Sequence, residues 1–148
     1  MIAWAVAEQG AGVELSGFRV QYPQTDAPLK EMRGFISQKF LPEKMKNAVE
    51  PVLEQKFGTV DTYLCCAHEY IDILAGKAYL SLYSRIRPWD HLAGAMMMRE
   101  SGGTVKKWDK SDYTAADQRG GIICAPDENT WQRIHDLLLK GYATSFSH

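Results

Sequence analysis

Short strand-like runs and longer helix-like runs alternate along the chain. Residues 2–7 are apolar and residues 13–22 intersperse apolar with polar side chains; both segments contain β-branched and aromatic residues, so they predict two strands joined by a turn at residues 9–12. The polar stretch 21–28, with two prolines, predicts a loop. The opening therefore resembles a hairpin, whose free edge another segment would have to cover.

From residue 33 onward, the pattern predicts strands alternating with helices. Met45, Val49 and Val52 recur at spacings of three and four, which gives a helix an apolar face. Such alternation predicts an α/β fold with helices packed on a mixed, largely parallel sheet. The predicted strands are 33–40, 59–64, 78–83, 104–108 and 121–125, and the predicted helices are 42–57, 66–74, 90–99 and 126–140.

Length and composition fit one domain over residues 1–148, with no linker that would divide it. Seventeen basic and eighteen acidic residues leave a net charge of -1, which argues against a general nucleic-acid binder. The sequence contains no apolar run of the ~20 residues that span a bilayer, and its start does not resemble a signal peptide. These features predict a soluble, cytoplasmic protein without a membrane partner.

Three cysteines offer no disulfide framework, because their number is odd and two of them are adjacent. Cys65, Cys66, His68 and Cys124 match none of the usual paired zinc patterns, so buried thiols are the favoured interpretation. A nucleophilic Cys66–His68 pair lacks a visible orienting partner. The His68-Glu69 pair lacks the second histidine of a metalloprotease helix.

The sharpest local motif is Arg-Pro-Trp-Asp-His-Leu-Ala-Gly-Ala at residues 87–95, followed by Glu-Ser-Gly-Gly at 100–103. Asp90 follows a proline-tryptophan turn and opens an apolar helix, so we expect its carboxylate to cap the helix N-terminus. The alternative is a ligand for a hard metal ion such as magnesium. Gly94 allows a neighbouring group to pack closely against this helix.

This motif resembles the C-terminal signature of the inositol monophosphatase family, which contains magnesium-dependent, lithium-sensitive phosphomonoesterases. Trp-Asp, Ala-Gly and Glu-Ser-Gly-Gly all fall in the family's positions, and weaker similarity covers most of the chain. The resemblance implies the C-terminal half of the family's layered αβαβα fold. Residues 1–25 would end its first sheet, and residues 30–148 would form its C-terminal α/β domain.

The resemblance also implies site residues. Asp90 matches the family's metal-binding aspartate, and Tyr83 falls where many members carry a glutamate that contacts sugar hydroxyls. Cys66 lies near a segment that lines the substrate pocket, and His91 is next to Asp90, within reach of a phosphate or a water. A surface position on the helix is the more frequent case for a residue such as His91. The implied substrate is an inositol phosphate or a related small phosphomonoester.

The family's upstream motifs, a Glu-Glu pair and Asp-Pro-x-Asp-Gly, have no match here. We therefore expect an incomplete Mg²⁺ site, little or no activity in the isolated chain, and a phosphatase as the intact parent. The alternative is a non-catalytic binding or regulatory module that pairs with a partner chain. Either way, exposed apolar surface is expected to drive dimerisation or association with a missing N-terminal half.

Overall fold

Two sheets and four helices make up the part of the chain that the computed structural model describes, residues 3–13, 19–20, 22 and 27–140. Much of the predicted strand 13–22 and loop 21–28 lies outside those residues. The strands are β1 (Ala3–Val6), β2 (Gly10–Val13), β3 (Arg19–Val20), β4 (Arg33–Ile36), β5 (Thr59–Asp61), β6 (Leu80–Tyr83), β7 (Thr104–Lys107) and β8 (Ile122–Ala125). The helices are α1 (Glu43–Lys56), α2 (Cys66–Leu74), α3 (Pro88–Glu100) and α4 (Glu128–Leu139), with a short 3₁₀ turn at Leu29–Glu31.

The larger sheet has the strand order β5-β4-β6-β8-β7. Strand β4 pairs in parallel with both β5 and β6, while β8 runs antiparallel to β6 and to β7. Helix α1 makes the crossover from β4 to β5, and α2 makes the crossover from β5 to β6, as parallel pairs require. The predicted mixed α/β fold is confirmed.

Alternate residues of the larger sheet point into two separate cores. Leu80 and Leu82 of β6 pack with α1 and α4 on one face, whereas Tyr83 packs with α2 and α3 on the other. Strand β8 divides in the same way, because Ile123 joins the first core and Cys124 the second. The sheet is therefore covered by helices on both faces.

The smaller sheet, β1-β2-β3, is antiparallel and contacts the opposite side of α3. Its first turn lies at residues 7–9 and not at 9–12 as predicted, since Gly10–Val13 is already strand. Glu8 and Gly10 have positive φ angles of 60° and 96°, and their backbone N–H groups donate to the two carboxylate oxygens of Glu100 at 3.1 and 3.2 Å. The turn is thus set by a residue ninety positions away, which local patterns do not reveal.

Helix α3 begins two residues earlier than predicted, which corrects the expected role of Asp90. Arg87 is the N-cap residue and Pro88 occupies the first helical position, where its missing N–H costs nothing. Asp90 therefore lies inside the first turn, where its negative charge still suits the helix dipole, and no side chain caps this helix by a hydrogen bond.

Gly94 lies where α3 crosses α2. A β-carbon at this position would overlap the ring of Tyr70, which is buried on α2. Gly94 therefore allows the close packing that the sequence predicted, and it fixes the distance between the two helices that border the cavity described below.

Gly94→Ala is expected to destabilise the chain by about 1–2 kcal/mol, because overpacking against Tyr70 outweighs the gain of about 1 kcal/mol in helix propensity. Chemical denaturation monitored by circular dichroism measures this change. Ala93→Ser, at the exposed neighbouring position, is the control and should shift stability by about 0.5 kcal/mol or less. A Gly94→Ala chain as stable as the native one would contradict the close packing.

Candidate functional site

A cavity of about 500 Å³ opens at the carboxyl edge of the parallel strands β4, β5 and β6. Its lining comes from the segments that directly follow these three strands and from the first turns of α2 and α3. Parallel strands bring their carboxyl ends to one edge, which is where open α/β sheets bind ligands. The topology therefore concentrates several separate segments of the chain at one place.

The floor of the cavity carries three buried polar side chains. Glu69 is 1% exposed, Tyr83 is 4% exposed and His91 is 5% exposed. They come from α2, β6 and α3, respectively. Sequence reasoning selected Tyr83 and His91 as site residues, and the structure brings both of them to this cavity.

Glu69 is a buried floor residue that the sequence analysis did not include among its candidate site residues. Its Oε1 atom accepts hydrogen bonds from the Thr62 hydroxyl at 2.8 Å and from the Tyr63 backbone N–H at 2.7 Å. Thr62 Oγ1 accepts in turn from the N–H of Leu64, a non-glycine residue with φ at 57°. Glu69 thus holds the loop between β5 and α2 in shape. Glu69 lies four residues before the buried Ile73, on the apolar face of α2, and this spacing could have indicated that Glu69 is buried.

His91 is held between two other elements, and the alternative of a surface histidine is wrong. Its Nδ1 atom lies 3.0 Å from the Tyr70 hydroxyl, and its Nε2 atom lies 3.1 Å from the carbonyl oxygen of Arg85. A carbonyl only accepts, so Nε2 carries the proton and Nδ1 accepts from Tyr70. Burial lowers the pKa of His91, which opposes its protonation.

The Tyr83 hydroxyl is buried, and the carboxylate of Glu69 is close enough to interact with it as a hydrogen-bond acceptor. Burial raises the pKa of Tyr83 well above its ordinary value, and the nearby negative charge of Glu69 raises it further. The phenol therefore stays neutral and keeps a proton to donate. Its ring also packs against His91 with the centroids 4.6 Å apart.

The rim of the cavity is exposed and carries charges of both signs. Asp90 is exposed, and the neighbouring Trp89 is 74% exposed. The cations of Lys39 and Arg85 lie 5.5 and 4.7 Å from the ring centroid of Phe40. An anion and a coordinated cation would both find a partner of opposite charge at this rim.

The three cysteines occupy three different environments, and the interpretation of buried thiols holds for only one of them. Cys124 is fully buried in β8, and burial raises its pKa to about 12. Cys66 is half-buried at the cavity, donates from Sγ to the Asp90 carbonyl at 3.1 Å, and has a pKa raised to about 11, chiefly by burial. Cys65 is exposed, and its Sγ lies 3.1 Å from Nδ1 of His68. The histidine therefore pairs with Cys65 and not with Cys66.

The described residues do not assemble a metal site. Within residues 3–13 and 27–140, no group of three or more histidine, cysteine or acidic side chains is placed to hold an ion. Asp90 offers one carboxylate, whereas Mg²⁺ takes about six oxygen ligands. These residues alone therefore do not fit Mg²⁺, and Asp90 can supply only one ligand of a larger set.

A second, more open cavity lies on the other side of the larger sheet. It measures about 640 Å³ and is bordered by the 3₁₀ turn, α1 and α4, with Lys30, Lys56 and Arg133 among its lining residues. None of the helices in the described part of the chain is both long and apolar enough to cross a membrane.

Comparisons with known proteins agree on one family. The sequence profile of the inositol monophosphatase family matches residues 2–144. Inositol monophosphatase-II of Staphylococcus aureus superposes with a TM-score of 0.80 at 17% identity, covering 97% of this chain and 52% of that chain. The extragenic suppressor protein SuhB of Bartonella henselae gives a TM-score of 0.79 at 18% identity, with 94% and 52% covered. The structure of SaIMPase-II with inositol monophosphate bound superposes with a TM-score of 0.77 at 16% identity, covering 93% of this chain and 52% of that chain.

The chain spans about half the length of these solved relatives. Among curated protein sequences, none matches it significantly. At identities below 20%, the superpositions establish the shared fold.

Glu69→Gln is expected to lower the free energy of unfolding by about 1–2 kcal/mol, because a charged acceptor with two short hydrogen bonds becomes a neutral one. Urea denaturation measures the change, and amide hydrogen exchange at Tyr63 should accelerate. Glu54→Gln, on the exposed side of α1, is the matched control. Unchanged stability and unchanged exchange at Tyr63 would show that Glu69 does not hold the loop.

His91 makes stability depend on pH in a defined direction. Its folded-state pKa is lowered, so below the unfolded-state value of about 6.5 the unfolded chain binds more protons than the native one. Stability should therefore fall as the pH drops below about 6.5. His91→Gln removes this contribution, so its unfolding free energy should fall less steeply from about pH 7 to about pH 5. If unfolding free energy falls equally steeply with pH in the native chain and in His91→Gln, the pH dependence does not come from His91.

Proposed function

Because the chain belongs to the inositol monophosphatase family, we propose that it forms part of a magnesium-dependent phosphatase that hydrolyses small phosphomonoesters. The observation that carries the proposal is the cavity at the carboxyl edge of β4, β5 and β6, with hydrogen-bonding groups on its floor and charges on its rim. The proposed substrates are an inositol phosphate or a related sugar phosphate. The relative SaIMPase-II, whose structure holds inositol monophosphate, supports this class.

The floor suits a ligand rich in hydroxyl groups. The neutral Tyr83 phenol can donate a hydrogen bond, and the Glu69 carboxylate beside it can accept one. A hydroxyl of a sugar or an inositol ring both donates and accepts, so it satisfies both groups together. The match favours such a ligand, because without its hydroxyl the buried Tyr83 phenol has only the Glu69 carboxylate, already bonded to Thr62 and Tyr63, to donate to.

Each residue of the proposed site has a distinct role. Asp90 would supply one carboxylate to a metal site that further residues complete, and Mg²⁺ bound there would neutralise charge on the phosphate ester. Tyr83 and Cys66 contact the substrate from the floor and the wall of the cavity. His91 lines the cavity as well, but both of its ring nitrogens are engaged, so its contribution is to hold Arg85 and the start of α3 in place.

The isolated chain is proposed to have little or no activity, because Asp90 provides only one of about six ligands. The remaining ligands would come from further polypeptide, which agrees with the coverage of about half of each relative. Trp4 and Val6 present an exposed apolar face on β1 where such a segment or a second copy would pack. We propose the cytoplasm as the location of the complete protein.

Asp90→Asn in the complete protein is expected to lower Mg²⁺-dependent phosphate release from inositol monophosphate by at least roughly a hundredfold, because it removes the charge of a metal ligand. The exposed Asp112→Asn is the matched control and should retain native activity. Phosphate release is measured with and without Mg²⁺ and with lithium, which should inhibit.

Activity that survives Asp90→Asn would contradict the metal assignment. If the native 148-residue chain proves stable without activity and co-purifies with a partner chain, the non-catalytic module becomes the better account.

A further inference from the structure

The second cavity, of about 640 Å³, shares no lining residue with the first. Two of its lining segments lie just before β4 and β5 in sequence, so it is near the amino edge of the parallel strands, whereas the first cavity opens at their carboxyl edge. The second cavity therefore takes no part in the proposed phosphatase chemistry, and what binds there is independent of that function.

Three cationic side chains from three separate elements line the second cavity. Lys30 belongs to the 3₁₀ turn, Lys56 ends α1, and Arg133 lies in the middle of α4. All three are exposed, and none of them forms an ion pair or a side-chain hydrogen bond with any residue in the described part of the chain. By contrast, Lys77 and Lys106 elsewhere on the surface each have a carboxylate partner at 2.8 Å.

Negative charge within the second cavity does not balance these cations. Among the described residues that line it, Asp136 alone is acidic. Its Oδ1 atom accepts from Gln132 at 2.7 Å and lies 3.2 Å from Nδ1 of His135, so this carboxylate already has partners on its own helix. The dipole of α1 explains a cation at its C-terminal Lys56, but no dipole explains Arg133 in the middle of a helix.

The second cavity also has an apolar part. Leu137 is 39% exposed and follows Arg133 by one helical turn, so both residues lie on the same face of α4. Leu29 is 3% exposed and belongs to the first core. A ligand that combines an apolar side chain with several carboxylates would cover Leu137 and give each cation a partner of opposite charge.

The exposure of the cations favours a peptide segment over a small anion. Small-molecule sites bury most of their ligand, and an ion pair at an exposed cation contributes little by itself. A peptide segment with several carboxylates engages all three cations together and also buries an apolar side chain.

We propose that the second cavity is a docking site for an acidic segment of a partner protein. An apolar side chain of that segment contacts Leu29 and Leu137, and flanking carboxylates pair with Lys30, Lys56 and Arg133. Nucleic acids and anionic membranes also bind cations, but the net charge of -1 gives the chain no general attraction for them.

The test titrates the isotopically labelled 148-residue chain with the end-blocked peptide Glu-Asp-Glu-Leu-Glu-Asp-Glu and follows backbone amide chemical shifts. We expect changes confined to residues 28–30, 55–56 and 133–137, and weaker binding at higher salt. Lys56→Glu and Arg133→Glu should each raise the dissociation constant by roughly fivefold, because each replaces an attraction with a repulsion. The exposed Arg119→Glu, in the loop before β8, makes the same change in net charge and should leave the dissociation constant nearly unchanged.

Several outcomes would overturn the proposal. No shift changes around the second cavity at the highest soluble peptide concentration would exclude the site. Equal binding of the uncharged peptide Gln-Asn-Gln-Leu-Gln-Asn-Gln, or equal weakening by Arg119→Glu, would exclude the charge pairing. Equal binding of a peptide with serine in place of leucine would exclude the apolar contact.

Two further measurements test the identity of the occupant. Oligothymidylate or phosphatidylserine vesicles that bind the same residues more tightly than the acidic peptide would replace the partner protein with a nucleic acid or a membrane. Peptide binding to the 148-residue chain that is lost in the complete protein would show that the protein's own polypeptide covers the cavity, and would overturn the proposal. Binding retained in the complete protein is the expected result.

Discussion

The direction of three neighbouring strands is the constraint on which the site depends. Because β4, β5 and β6 run parallel, the chain crosses back between them twice, through α1 and α2, and all three strands end at the same edge of the sheet. That requirement brings residues from distant parts of the chain, such as Phe40, Cys65 and Arg85, around one cavity. The antiparallel strands β7 and β8 complete the sheet without contributing to the cavity lining.

Burial of polar groups gives this cavity its chemical character. An unpaired buried carboxylate is costly, so Glu69 persists at the floor because Thr62 and Tyr63 donate to it. The same bonds shape the loop that carries Cys65 to the rim. On the opposite wall, burial opposes protonation of His91, while Tyr70 and Arg85 hold its ring and the start of α3, which carries Asp90. The hydrogen bonds of Glu69 and His91 therefore both stabilise the fold and shape the cavity.

Local patterns in the sequence were sufficient for the elements and for part of the site. The predicted helix 66–74 matches the bounds of α2, and the α/β alternation predicted the mixed sheet. Local patterns failed where a residue distant in sequence determines the structure. The first turn is set by Glu100, and His91 is buried because Tyr70 and Tyr83 come from other elements. The N-cap role predicted for Asp90 was wrong for a local reason, since Pro88 occupies the first helical position and the helix begins two residues earlier.

The central claim is that the carboxyl edge of β4, β5 and β6 binds a small phosphomonoester. Titration of the isotopically labelled chain with inositol monophosphate and Mg²⁺, followed by backbone amide chemical shifts, tests it most directly. The account predicts changes concentrated at residues 37–40, 62–67 and 83–91, because these segments line the cavity. Changes confined to the second cavity, around Leu29 and Arg133, or no changes at saturating ligand, would contradict it.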